Sequence, residues 1–313
     1  MKRIRKSEKP IIVVKSYASC ANLGPGFDIL GLALNIFNTY FIYTNSGGRY
    51  HLEYKGEIND TIPLDENNLI IRIIRKVIRK NKIDKNLTRA EIPLKIDIEN
   101  KIPIQKGLGS SAAAIAAGLL IANKFYGLKL SKEELLETGV EIEGHPDNIA
   151  PSLFGGLVIC YKDNNFKFKK IKIKNDYKIL LMIPEYNIKT KEARKLIPHK
   201  IPVKDCIKNL TNFYLLIDSL KNGNLSETLL FVKDYLHQPY RAKLYPRSIE
   251  LLNDLIQKLK IPSVISGAGP SVIGVLDEDL YNLYKKHKRY LDNKYEDFKQ
   301  IISSINFNGC EVV

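Results

Sequence analysis

The chain has 313 residues, of which 44% are hydrophobic and 27% charged, and it carries a net charge of +15. That balance excludes disorder, and the length exceeds one average core, so two domains in close contact are expected. The basic residues are spread along the chain; their densest runs, Lys167–Lys174 and Lys285–Arg289, read as solvated strand or helix faces, which argues against nucleic acid as a partner.

Cys20, Cys160, Cys206 and Cys310 have neither metal-ligand nor redox-pair spacing, so reduced thiols in the cytoplasm are expected. Behind the basic Met1–Lys9 the apolar run Ile11–Val14 is too short for a signal peptide. No apolar run approaches the roughly 18 residues of a membrane helix, so no membrane association is expected.

In chain order, residues 11–17 read as a buried strand and 24–26 as a glycine-rich turn. Segments 39–44 and 50–54 read as a hairpin turning at Gly47-Gly48. Leu69, Ile70, Ile73, Ile74 and Val77 have helical spacing, and Ile92, Leu94, Ile96 and Ile98 alternate as in a half-buried strand. A long Ala- and Leu-rich helix is predicted over 109–126. A second follows to about Glu143, opened by a Ser131/Glu134 capping box. Residues 156–161 and 167–173 form a predicted hairpin. Beyond it come a strand at 178–183, helices at 189–197, 204–220, 225–236 and 246–259, and strands at 263–266 and 271–275. A charged helix at 278–289 and a weaker one at 295–304 complete the pattern. Strands and helices mix without regular alternation, which predicts an α+β fold, with the division in the basic region 165–176.

The most informative local segment is Pro103, Ile104, Gln105, Lys106, Gly107, Leu108, Gly109, Ser110, Ser111, Ala112 and Ala113. A strand ends before it and a long helix begins inside it. Glycines let backbone approach a ligand closely, and a helix start offers unpaired N–H groups at a positive dipole end. Ser110 and Ser111 add hydroxyls, and Ser111 is a candidate Mg²⁺ ligand. This is an anion site suited to a nucleoside triphosphate. It lacks the G-K-[S/T] of a Walker loop and the third glycine of a dinucleotide fingerprint. Taken by itself it could be only a Gly-Ser cap on a structural helix.

Residues 18–31 hold A-S-C-A-N-L-G-P-G-F-D-I-L-G, in which Asn22 and Asp28 flank a tight turn and could grip an ammonium group. By itself this is also a turn cap. Residues 266–271, S-G-A-G-P-S, form another glycine-rich turn.

Together the three segments resemble, in order, the motifs of the GHMP kinases. The second matches P-x-G-x-G-L-G-S-S-A except that Gln105 replaces a glycine. In the first, Tyr17, Ser19 and Cys20 depart from the usual residues, while Ala21–Asp28 is intact. The string H-P-D-N-I-A-P from His145 to Pro151 is similar to the homoserine-specific branch of that family. So are T-K-E-A-R from Thr190 to Arg194 and Q-P-Y-R from Gln238 to Arg241.

The resemblance implies a two-domain fold, residues 1–165 and 166–313, with the active site in the cleft between them. It implies ATP and Mg²⁺, L-homoserine as phosphoryl acceptor, and a place in threonine biosynthesis. A homodimer is compatible with it, although the sequence does not fix the oligomeric state. Residues 103–113 would cradle ATP and Asn68 would contact its base. Mg²⁺ would lie between Ser111 and Glu143, with Glu141 as runner-up. Arg194 and Arg241 would hold the substrate carboxylate, since arginine forms bidentate pairs with carboxylates. Asp28 with Asn22 would hold the ammonium group, with Gly267 of the third motif beside them, while His145 and Asn148 would lie near the hydroxyl. Thr190 would approach the γ-phosphate, and Asn148, Thr190 and Arg194 form the catalytic set. Family members with a catalytic Asp carry it seven residues before a Gly-Gly pair. Here that position is Asn148, which cannot take a proton, so transfer without a dedicated base is expected.

Two rivals remain. Another GHMP kinase, acting on mevalonate, a phosphomevalonate or shikimate, would share the ATP site but need no ammonium pocket. A basic nucleic-acid-binding protein would need no intact Gly-Ser loop and would bind with steep salt dependence.

Overall fold

The computed structural model describes residues 9–45, 50–57, 62–81, 92–174 and 176–313. The expected Gly47-Gly48 turn and all but the last residue of the basic Met1–Lys9 segment lie outside these.

The first lobe is built on strands β1 (Ile12–Ala21), β2 (Leu30–Thr44), β3 (His51–Gly56), β4 (Leu94–Asn100), β5 (Leu157–Lys162) and β6 (Phe166–Ile171). Its helices are α1 (Leu69–Lys80), α2 (Ser110–Phe125), α3 (Lys132–Glu143) and α4 (Pro146–Phe154). The second lobe contains β7 (Lys178–Pro184), α5 (Thr190–Lys195), α6 (Val203–Asn222), α7 (Leu225–Phe231), α8 (Gln238–Arg241), α9 (Pro246–Gln257), β8 (Ser263–Ile265), β9 (Val272–Leu276), α10 (Glu278–Lys294) and β10 (Phe298–Ser304). The chain then returns to the first lobe as β11 (Glu311–Val312).

The larger sheet runs β11-β1-β2-β4-β3, with β5 on β2 and β6 on β5; the smaller runs β10-β7-β9-β8. The expected division at 165/166 lies in the turn of the β5–β6 hairpin. The change of sheet comes between Ile171 and Lys178.

Two expectations are corrected. Segments 39–44 and 50–54 are both strands, but they do not form a hairpin. β4 lies between them, antiparallel to β2 and parallel to β3. The α1 crossover allows this, because it carries the chain from β3 back to start β4 in the same direction. The strand with continuous alternation takes the covered position: Leu94, Ile96 and Ile98 are buried, whereas β3 buries only Leu52. Likewise 295–304 is not helical. Residues 298–304 form β10, paired residue by residue with β7. There a sheet edge outweighs weak local helix preference.

The first lobe's core lies between the sheet and helices α1 and α2. α1 turns Ile70, Ile71, Ile73, Ile74, Val77 and Ile78 inward, and a Cβ on Gly118 of α2 would meet Ile73 at 3.0 Å. α3 opens with the expected Ser131/Glu134 capping box. α4, not anticipated from sequence, covers the H-P-D-N string, with Pro146 in its first turn, where a missing N–H costs nothing.

In the second lobe Asp254 ties α9 to α10. Its carboxylate accepts hydrogen bonds from Tyr290 Oη at 2.7 Å, Tyr295 Oη at 2.8 Å and Lys294 Nζ at 2.7 Å, and pairs with Lys258 at 2.9 Å. Burial alone would raise its pKa, but the hydrogen bonds from Lys294, Lys258 and the tyrosines hold it well below the ordinary carboxylate range. A carboxyl with a depressed folded-state pKa stabilises the fold above its unfolded pKa and loses that contribution as pH falls. Asp254→Asn is therefore expected to lower Tm by about 5 °C at pH 7. The gap between variant and parent should narrow below about pH 4 in thermal melts.

Candidate active site

The loop between β4 and α2 delivers the glycines to one point. Gly109, the residue before α2, has φ +68° and makes no side-chain cap; no acidic residue occupies the first turn. The first-turn N–H groups of α2 therefore face the cleft at a positive dipole end. The loop between β8 and β9 and the end of β1 hold this one. A Cβ on Gly107 would stand 2.3 Å from the Ser266 carbonyl oxygen, and one on Gly109 would stand 2.0 Å from Ser19 Oγ. Ser266 Oγ donates to the Gly107 carbonyl at 2.7 Å, Ser271 N to Lys106 O at 3.2 Å, and Ser19 N to Leu108 O at 3.1 Å. The three sequence motifs thus meet. Gln105, at the family's glycine position, itself adopts φ +59°.

The second half of the site starts from the turn after β1. Asn22 Oδ1 accepts the Asp28 N–H at 3.0 Å, and its Nδ2 donates to the Gly267 carbonyl at 2.9 Å. Both Asn22 and Asp28 have positive φ, which short polar side chains tolerate. Arg194, from α5, grips Asp28 bidentately at 2.6 and 3.0 Å. The two side chains are 35% and 34% exposed, so the pair is open to exchange.

Arg241 also lines the cleft but is buried. Its Nε donates to the Ala193 carbonyl at 3.1 Å and its Nη1 reaches the Gly267 carbonyl at 3.4 Å. The Phe27 ring lies 5.8 Å from the Arg194 guanidinium, 5.3 Å from that of Arg241, and stacks 5.1 Å from His237. Burial lowers the His237 pKa, keeping the ring neutral. A proton on Nε2 then serves both its neighbours: Nε2 donates to Gly24 O at 2.9 Å, and Nδ1 accepts from Arg241 at 3.4 Å.

At the start of α4, His145 Nδ1 and Asp147 Oδ1 are 2.6 Å apart. Burial disfavours the charged ring, but the hydrogen bond and charge of Asp147 outweigh it and raise the His145 pKa. Ser19 Oγ donates to Asn148 Oδ1 at 2.8 Å, which joins this helix to the first motif. Ser111 Oγ donates to Glu143 Oε2 at 2.8 Å beside the loop. Glu141 is engaged elsewhere, pairing with Lys76 and Lys80 of α1 at 3.3 and 2.9 Å. Among the described residues no three His, Cys, Asp or Glu side chains are grouped to hold a metal.

Asn68, the N-cap of α1, sits at the far end of the cleft and donates to the Pro63 carbonyl at 2.7 Å and Tyr54 Oη at 3.0 Å. Of the expected residues, Asn22, Asn68, Ile104, Gln105, Gly107, Leu108, Gly109, Ser110, Ser111, Glu143, His145, Asn148, Thr190, Arg194 and Arg241 line one cleft. Asp28 joins through Arg194, and Gly267 through Asn22. Pro103 and Lys106 face another crevice, where Lys106 donates to the carbonyls of Glu185 and Tyr186. Ala112 and Ala113 are buried in α2. Sequence reasoning missed Asn38, Tyr40, Tyr54, Asn100 and Lys189 in the lining. Only Lys189, beside Thr190, carried a signal.

This geometry agrees with what the chain is similar to. Residues 68–156 match the GHMP kinases N terminal domain and residues 216–293 the GHMP kinases C terminal. A homoserine kinase from Clostridium beijerinckii is 34% identical over 304 residues, 97% of this chain and 99% of that one. The chain belongs to the GHMP kinase family. A homoserine kinase from Natranaerobius thermophilus is 38% identical over 275 residues, 87% of either chain. The crystal structure of homoserine kinase from Cytophaga hutchinsonii shares the fold, with TM-score 0.82 at 24% identity, covering 98% of this chain and 99% of that one. The two-domain GHMP fold expected from sequence is therefore present.

In this GHMP kinase Gly109→Ala should be among the most damaging single-methyl additions. The new Cβ meets Ser19 Oγ at 2.0 Å and forces an alanine to positive φ. Titration with a fluorescent ATP analogue should show affinity reduced by about a hundredfold or more, with the far-ultraviolet circular dichroism unchanged.

Proposed function

We propose that this GHMP kinase transfers the γ-phosphoryl group of ATP to the side-chain hydroxyl of L-homoserine, giving O-phospho-L-homoserine and ADP. The observation that carries the substrate is the Asp28–Arg194 ion pair. It offers two groups of opposite sign, each suited to one end of an α-amino acid. The carboxylate takes Arg194, with Arg241 behind it, and the ammonium takes Asp28, steadied by Asn22. The relatives named above support the same acceptor. The reaction belongs to threonine biosynthesis, and four free thiols suit a reducing cytoplasm.

Phosphoryl transfer depends mainly on positioning and charge neutralisation. The start of α2, with Gly109, Ser110 and Ser111, binds the triphosphate through its N–H groups. Asn68 and the neighbouring Tyr54 flank the base. Thr190, one residue from Lys189 at the start of α5, approaches the γ-phosphate.

The Ser111–Glu143 pair supplies a hydroxyl and a carboxylate, oxygen donors that suit Mg²⁺, and an ion with few protein ligands is usual when phosphates complete its shell. Bound there, Mg²⁺ would neutralise charge on the phosphates. Glu141, tied to α1, is unsuited to this role.

His145 and Asn148 orient the acceptor hydroxyl. Neither Asn148, an amide, nor Asp147, buried and bonded to His145, is arranged as a general base. The hydroxyl proton passes to a phosphate oxygen, so Asp147 acts by positioning His145.

The deciding assay is ADP release with Mg-ATP and L-homoserine, L-threonine, mevalonate or shikimate. Turnover on homoserine alone is expected; turnover only on an acceptor lacking an amine would discard the ammonium site. Asp28→Ala should raise KM for homoserine by about a hundredfold while leaving KM for ATP nearly unchanged. Asp147→Asn should retain turnover and raise KM for homoserine by about tenfold. Loss of turnover with intact homoserine binding would instead assign Asp147 as the base.

A further inference from the structure

Four side chains that carry or can carry positive charge line the cleft: His145, Lys189, Arg194 and Arg241. Three of them have partners in place. Arg194 lies on Asp28 at 2.6 Å, His145 on Asp147 at 2.6 Å, and Arg241 on the carbonyls of Ala193 and Gly267 at 3.1 and 3.4 Å. The ammonium group of Lys189 is the fourth, and among the described residues it has no hydrogen-bond or ion-pair partner. Lysine is also a poor choice for the local structure. Residue 189 is the N-cap of α5, a position that favours Ser, Thr, Asp or Asn because their side chains bond the first N–H groups, and Lys189 makes no such bond. Only its carbonyl is used, accepting from Glu192 N at 3.0 Å and Ala193 N at 3.2 Å. A side chain that breaks a local rule on the wall of a cleft is there for the cleft.

The backbone before Lys189 is tied to the β4–α2 loop. Ile188 N donates to Gln105 O at 3.2 Å, and Lys106 Nζ donates to the carbonyls of Glu185 and Tyr186 at 2.5 and 2.9 Å. These three bonds hold residues 185–188 against the loop just ahead of Gly107, and Lys189 comes next. They also decide which lysine serves the cleft. Lys106 belongs to the loop itself, but its two carbonyl partners keep it in the crevice on the other side.

We propose, on the reading that this kinase moves the γ-phosphoryl group of ATP to homoserine, that Lys189 is a catalytic residue whose ammonium group binds the γ-phosphate. The start of α2 offers that phosphate only about half a positive charge. Lys189 adds a full charge from the other lobe, so the phosphate is held between the two. As the bond from the acceptor oxygen to phosphorus forms and the bond to the β,γ-bridging oxygen breaks, charge spreads over the transferred oxygens, where a positive group stabilises it. The hydroxyl proton goes to a phosphate oxygen, and Lys189 stays protonated throughout. Residue type fits this division of labour. A compact ammonium group on a flexible, exposed stem can follow a moving phosphoryl group, whereas the planar forks of Arg194 and Arg241 suit a carboxylate that stays still.

Calorimetric titration of the full chain with Mg-AMP-PNP and with Mg-ADP tests this without any acceptor. Lys189→Met should lose about tenfold in affinity for AMP-PNP and keep its affinity for ADP, which has no γ-phosphate. Lys189→Arg should retain most of both. Lys191→Met removes the exposed lysine two residues along, which does not line the cleft, and should change neither. In turnover with homoserine, Lys189→Met should lower kcat by about a hundredfold with KM for homoserine nearly unchanged. Equal losses for both nucleotides, no loss for either, or the same loss in Lys191→Met would overturn the γ-phosphate contact. A selective loss of AMP-PNP affinity with kcat unchanged would overturn the catalytic role. A parent inactive on homoserine would remove the acceptor assignment, and the comparison of AMP-PNP with ADP would still decide the contact.

Discussion

The site depends on how closely two loops and the end of β1 approach one another around Gly107 and Gly109. There is no room for a Cβ at either position: carbonyl oxygens of the third motif close over Gly107, and the Ser19 hydroxyl closes over Gly109. Because the loops meet backbone to backbone, the first turn of α2 is left open and its N–H groups converge on the cleft. A side chain at either glycine would separate the loops, and the anion site would lose its walls together with its geometry. The same contact joins the lobes, since the third motif belongs to the smaller sheet's β8–β9 connection and the loop to the larger sheet.

From this junction the proposed acceptor side is built outward. Asn22 bridges the first motif to Gly267, Arg241 bridges Gly267 to Ala193, and Ala193 precedes Arg194. Ion pairs across such a chain are sensitive to every link. Moving Gly267 shifts both the carboxylate of Asp28, through Asn22, and the guanidinium of Arg194, through Arg241. Phe27 adds a rigid surface shared by both guanidinium groups. The backbone tension that this arrangement needs falls on Asn22, Leu23, Asp28 and Gln105, all at positive φ. Asn and Asp accept that conformation at little cost, while a glutamine there costs about 1 kcal/mol. It is held in part by the Ile188 N–H on its carbonyl at 3.2 Å.

Much of the fold was legible because its signals are local. α1, α2 and α3 follow from spacing, composition and a capping box, and each formed within about a residue of expectation. The two failures share one cause. The pairing of β2 with β4 instead of β3, and the strand at 298–304, are set by which sheet edge is available, and that is a property of the whole chain. α4 was missed because its sequence, bracketed by prolines and capped by His145, has the composition of a loop.

For the site, the sequence by itself determined the residue types: glycines and serines at a helix start, an acid and an amide around a turn, and arginines in two separate segments. These are one-dimensional facts, because a tight turn or a helix N-terminus is made by neighbours in the chain. Only the tertiary structure decided which of them work together. It put Asp28 on Arg194, 166 residues away, turned Lys106 out of the cleft toward Glu185 and Tyr186, and used Glu141 in a surface pair so that Glu143 alone remained beside Ser111. The physical reason is that a side chain's direction follows from the packing of its element against distant elements. No spacing along the chain encodes that direction.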